Sequence, residues 1–223
     1  NESQCTSVVT IEDNTAPEIV CIGEFAEFTD SVSDAPGVAI PDNDPTGVST
    51  TINIADDVEI TDLNVDVDIS HTWVGDLQVV LESPAGTQVM IIDRPGEPIL
   101  GAFGCSGDDI VATLDDEAAD PVEDQCDAGT PTIFGTFSPN EALSAFDGES
   151  TLGDWILTVI DNAGGDTGTV NSWGINYSYE TVSTPLEVDL DANGMASIDA
   201  SALLLGVNEA CGWTATVGGV GAA

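Results

Sequence analysis

The amino-acid sequence predicts an all-β protein, a β-sandwich of jelly-roll type. Three observations carry this. Apolar residues alternate with a period of two, no stretch shows the long 3.6-residue periodicity of an amphipathic helix, and clusters of Gly, Pro, Asn and Asp separate the alternating runs.

Taken in order, Val8, Val9 and Ile11 mark a first strand, followed by the extended linker DNTAPEIVC, where Pro17 forbids a helix. Six further strands are expected at 48–54, 60–69, 77–83, 87–92, 154–161 and 170–180. In ITDLNVDVDI (60–69), Leu63, Val65, Val67 and Ile69 point to one side and Asn64, Asp66 and Asp68 to the other, so one sheet face is dry and the other wet. The character changes after Thr184. LEVDLDANGMASID reads as a hairpin turning at Asn193-Gly194, and ASALLLG as a short helical turn. The chain therefore divides into 1–22, 23–183 and 184–223, a central β domain between two partial β modules. The opening residues NESQC do not form a signal peptide, and the chain is expected to be a piece of a longer secreted protein.

Charge narrows the function. Forty-one Asp and Glu stand against one Lys or Arg among 223 residues, a formal net charge of −40. Such a surface repels nucleic acid and anionic membranes and attracts cations. No lysine is present, so no Schiff base or lysine isopeptide cross-link can form, and the single basic residue, Arg94, precedes Pro95. Apolar material is ample at 42%, with no run of membrane-spanning length. The five cysteines, Cys5, Cys21, Cys105, Cys126 and Cys211, contain no CxxC pair and read as disulfide formers in an oxidising, extracellular compartment. Cys105 and Cys126 bracket an acidic loop and are expected to pair.

Three blocks carry a resemblance. HTWVGDLQVVLESPAGT (71–87), FDGESTLGDWILTVIDNAGGDTG (146–168) and TVNSWGINYSY (169–179) resemble the motifs of the P domain, or P/Homo B domain, found after the catalytic domain of proprotein convertases and in many bacterial secreted proteins. The resemblance covers most of 24–181 and implies a jelly-roll sandwich. The flanks are similar to HYR-like, immunoglobulin-like repeats of long bacterial surface proteins. CTSVVTIEDNTAPEIVC looks like the end of one repeat and LEVDLDANGMASIDASALLLGVNEACG like the start of the next. An inserted P domain would leave Cys21 and Cys211 as a candidate bridge, with Cys5 paired upstream.

His71, the only histidine, has no GxSxG elbow or other nucleophile signature to work with, and the resemblance assigns it with Gly75, Trp155 and Trp173 to the fold. Its expected task is to hydrogen-bond across the turn that GDL closes. Asp76 and Asp161 are the carboxylates most tied to motif, either as turn caps or as ligands of structural Ca²⁺, which takes six to eight oxygens from irregular loops. The candidate calcium clusters are Asp161 with Asp166, flanking two glycines, and the loop residues Asp108, Asp109, Asp115, Asp116 and Glu117. Trp155, Trp173 and Phe146 are read as core rather than as a sugar platform.

These readings point to a non-enzymatic, extracellular module of a large repetitive surface protein, an adhesin or filament subunit stiffened by Ca²⁺. Its expected partners are neighbouring repeats, a second copy, or a surface glycan or protein. The alternatives are an accessory domain of a secreted subtilisin-like protease and a carbohydrate-binding jelly roll.

Overall fold

The computed structural model describes residues 25–182, with side chains over 26–181; the terminal strand, the 186–199 hairpin, the 200–206 turn and the Cys21–Cys211 bridge lie outside them. Among these residues ten strands form two sheets, the β-sandwich that the sequence predicts. They are β1 (Phe25–Asp34), β2 (Val38–Ile40), β3 (Asp44–Ile54), β4 (Ile60–His71), β5 (Leu77–Glu82), β6 (Gln88–Asp93), β7 (Ile110–Leu114), β8 (Ile133–Phe137), β9 (Gly153–Asp161) and β10 (Gly168–Val182). One sheet runs β1-β10-β4-β7-β8, with β2 also paired to β10; the other runs β3-β9-β5-β6.

The alternation in β4 sets the dry face. Leu63, Val65, Val67 and Ile69 are buried, while Asp66 is exposed and Asn64 and Asp68 are partly so. In β9, Trp155, Leu157 and Val159 face the same core from the opposite sheet, and Phe146 meets the Trp155 ring edge-on at 5.2 Å. Trp173 in β10, paired in register with Val67, is buried in the same core.

The sequence reading missed β1, β2, β7 and β8. β2 is three residues long, β7 and β8 are five each, and Gly135, at φ +141, interrupts β8. Such short runs become strands because a neighbour supplies the hydrogen bonds, and that neighbour is remote in sequence. β7 and β8 pair in parallel, so the connection 115–132 must cross over before pairing resumes. β3 starts at Asp44 rather than Val48 because a bulge intervenes at Gly47, at φ +63, where a Cβ would lie 2.3 Å from Val159 O.

Candidate functional site

Followed to the strand ends, the period-two alternation delivers two ionisable side chains to the interior. The inward series Leu63, Val65, Val67, Ile69 in β4 continues to His71, and Trp155, Leu157, Val159 in β9 continues to Asp161. The two strands belong to different sheets, and His71 Nε2 lies 3.4 Å from Asp161 Oδ2 with both side chains buried. A polar contact therefore joins the two sheets at one end of the sandwich.

The surroundings hold this pair in place. Trp73 N–H donates to His71 Nδ1 at 3.2 Å, and Trp73 O lies 2.9 Å from the same nitrogen, so the imidazole does bond across its own turn. His71 N–H donates to Asp109 Oδ1 at 2.9 Å, and Asp109 N–H returns to His71 O at 3.0 Å. Asp161 Oδ1 accepts Ala163 N–H at 3.1 Å, the turn-capping role expected of Asp before a glycine-rich stretch. Asp166 accepts from Thr72 Oγ1 at 3.0 Å. Two glycines permit the close approach. A Cβ on Gly168 would sit 2.4 Å from His71 Cδ2, and one on Gly75 2.4 Å from Cys105 N.

Asp76 closes the 3₁₀ turn Val74–Asp76 and is buried beside the pair. Burial, then repulsion from Asp161 and Asp166, raises its carboxyl above the ordinary carboxylate value, against an opposing pull from Arg94 and His71. Asp76 Oδ1, Asp161 Oδ2 and His71 Nε2 are all buried without a hydrogen-bond partner; the His71–Asp161 contact is an ion-pair approach outside hydrogen-bond geometry.

Two unpartnered carboxylate oxygens are a start on a cation site, but the donor set stops there. No group of three or more His, Cys, Asp or Glu side chains converges to hold a metal among the described residues, and calcium takes six to eight oxygens. The second expected cluster is divided by a strand. Asp108 and Asp109 precede β7 while Asp115, Asp116 and Glu117 follow it, and five strand residues separate the groups by roughly 16 Å. At that far end Asp116 caps the turn at Leu143 and Ser144, and Asp115 accepts Glu117 N–H.

The predicted Cys105–Cys126 disulfide is present. The motif blocks also meet: Thr87, closing the SPAGT turn, donates its hydroxyl to Glu149 of the second block, and Trp155 Nε1 donates to Thr151 O at 3.0 Å. On the wet face of the larger sheet an open groove of about 680 Å³ includes Asp66, Asp68, Thr113 and Phe134. Both Asp66 oxygens are already taken, by Thr113 and Asn176, and Asp68 holds Asn171.

Sequence reasoning missed Arg94 and Glu123. Arg94 pairs with Glu97 at 2.5 Å and donates to Ala102 O at 2.9 Å, bracing a loop whose Ile99, Leu100 and Phe103 are 78%, 56% and 63% exposed. Glu123 is largely buried and its carboxyl is pushed up to about 7, chiefly by burial and further by Asp93 and Asp124, against the bond from Asp93 N–H. A lone basic residue beside Pro95 was the available signal for the first; nothing local marks the second.

No serine, threonine or cysteine hydrogen-bonds the imidazole among the described residues. The strand order and the two packed sheets define a β-sandwich module. Residues 60–177 match the family model described as the proprotein convertase P-domain, and the chain belongs to that family. Two calcium-dependent proteases, from Trichormus variabilis and a Nostoc species, are 32% and 31% identical over 143 residues, which is 63% of this chain and 17% of each relative. Two crystal structures of a serine protease of Aeromonas sobria, one in complex with a chaperone, align at 18% and 19% identity. They cover 72% and 74% of this chain and 28% of theirs, each with a TM-score of 0.44. No helix among the described residues is long and apolar enough to cross a membrane.

Proposed function

We propose that this chain serves as the accessory, non-catalytic P domain of a secreted protease, where it stabilises a neighbouring catalytic domain. The observation that carries this is the family membership together with 32% identity to a calcium-dependent protease over a segment that makes up only 17% of that relative. The remaining length of such a relative leaves room for a separate catalytic part. The disulfide suits an oxidising, extracellular compartment. The braced loop at Ile99, Leu100 and Phe103 supplies apolar surface of the kind that domain interfaces use. The adhesive-module reading draws on strings within 1–22 and 184–223, outside the described residues, and the comparisons favour the protease reading. Calcium enters through the relatives' names, and chelation tests it at Asp76 and Asp161.

The test uses the natural full-length protein, intact and with residues 25–182 deleted. The intact protein should cleave an unstructured protein substrate, and the deletion should shorten the half-life of that activity on heating. An intact protein without proteolytic activity, or a deletion that leaves the half-life unchanged, would overturn the reading.

A further inference from the structure

The strap that ends in the disulfide makes one side-chain contact with the Asp93 amide, through the carboxyl group of Glu123. Residues 121–126 cross the corner at the end of β6. Val122 is fully buried as an anchor and donates its N–H to Ser138 O at 2.9 Å, and Cys126 is tied to Cys105. Between these fixed points lies Glu123. Its Oε1 accepts Asp93 N–H at 2.7 Å and its backbone oxygen accepts Gly96 N–H at 2.8 Å. Its other carboxylate oxygen, Oε2, is buried with no partner.

The loop that carries Ile99, Leu100 and Phe103 hangs from the same corner. Gly96 O accepts Leu100 N–H at 2.7 Å and Pro95 O accepts Cys105 N–H at 2.7 Å. What holds the 93–96 corner therefore also holds both ends of the loop.

We propose that Glu123 is a proton-operated latch: neutral, it holds the strap on the Asp93–Gly96 corner, and ionised, it loosens that corner and the 97–104 loop. The charged groups around it leave the ionised form without compensation. From β6 comes Asp93 and from the strap itself Asp124, both carboxylates that raise the Glu123 value. From the turn packed on Glu123 O come Arg94 and Glu97, and the Arg94 guanidinium is committed to Glu97 and to the carbonyls of Gly75 and Ala102. An unpartnered buried hydroxyl costs far less than an unpartnered buried charge. A carboxyl whose closed-state value lies near 7 against an ordinary 4.5 binds its proton more tightly when closed. Its stabilising contribution is thus complete below about 4.5 and lost as the pH rises through about 7.

The deciding experiment is amide hydrogen exchange on the whole chain from about pH 5 to about pH 8.5, expressed as protection factors so that the intrinsic pH dependence cancels. Protection at the Asp93 and Gly96 amides and through 97–104 should fall roughly ten- to a hundredfold across that range. In Glu123→Gln, a neutral side chain of the same shape, the fall should disappear. Flat protection in the unsubstituted chain, or the same fall in the variant, would overturn the latch. Should the variant not fold, carboxyl-detected NMR titration of Glu123 in the unsubstituted chain decides. A midpoint near 7 supports the latch and an ordinary carboxylate midpoint removes it.

Discussion

At the strand-end corner, Asp161 stands 3.4 Å from the imidazole of His71 and caps its own turn, whereas at the disulfide corner Glu123 has Asp93 and Asp124 beside it, an Arg94 already committed to Glu97, and one amide to satisfy it. Both groups are acids taken out of water. They differ in what stands beside them: an imidazole from the other sheet for Asp161, and for Glu123 two carboxylates that add to the effect of burial and raise its value. Asp76 lies between the two cases, with His71 and Arg94 pulling its value down and Asp161 and Asp166 pushing it up.

The largest expected effect is the loss of core packing along β9, the strand that delivers Asp161 to the first corner. Trp155 lies on the same inward face of β9 as Asp161, six residues earlier, and is fully buried against Phe146. Trp155→Ala should cost about 3–5 kcal/mol in urea unfolding, enough to consume much of the stability of a domain this size. The second corner loses its closure with the double change of Cys105 and Cys126 to Ser. Opening a loop with a sequence separation of 21 should cost about 3 kcal/mol, read as a lower unfolding midpoint that reductant reproduces in the unsubstituted chain.

Smaller changes separate the carboxylates. Asp161→Ala removes the acceptor of Ala163 N–H and leaves His71 buried beside an uncompensated gap, which should cost about 1–3 kcal/mol. Asp76→Asn works in the opposite sense. A carboxyl raised in the folded state stabilises most when protonated, below its unfolded value, and the benefit is lost as the pH rises through the folded value. Replacing ionised Asp76 should therefore raise the melting temperature modestly at neutral pH and have little effect in acid. The smallest expected effect is that of a chelator. With only two unpartnered carboxylate oxygens at the corner, melting with EDTA should match melting without it. A clear fall in melting temperature would assign a bound cation to the domain, since a ligand held only by the folded state must stabilise it.

The fold was legible where the signal is local and repeated. β4, β5, β6, β9 and β10 follow from alternation over six residues or more, and the GDL glycine follows from its motif, with the structure adding that Cys105 N would lie 2.4 Å from any Cβ there. The His71–Asp161 pair was half legible. Each residue ends an inward-facing series, so extending the alternation one step predicts two polar groups in the core, but not that they face each other across two sheets. The acidic string 108–117 is contiguous along the chain but not in space, because β7 lies between its two halves.

The sequence by itself determined the class of fold, the dry and wet faces of β4, the Cys105–Cys126 bond and the family, because period-two alternation, turn chemistry and fixed motif spacing are properties of consecutive residues. Only the tertiary structure decided which acids share an environment. The values of Asp76 and Glu123 depend on desolvation and on charges brought in by β6, β9 and the strap, and these act over a few ångströms of space between residues far apart in the chain.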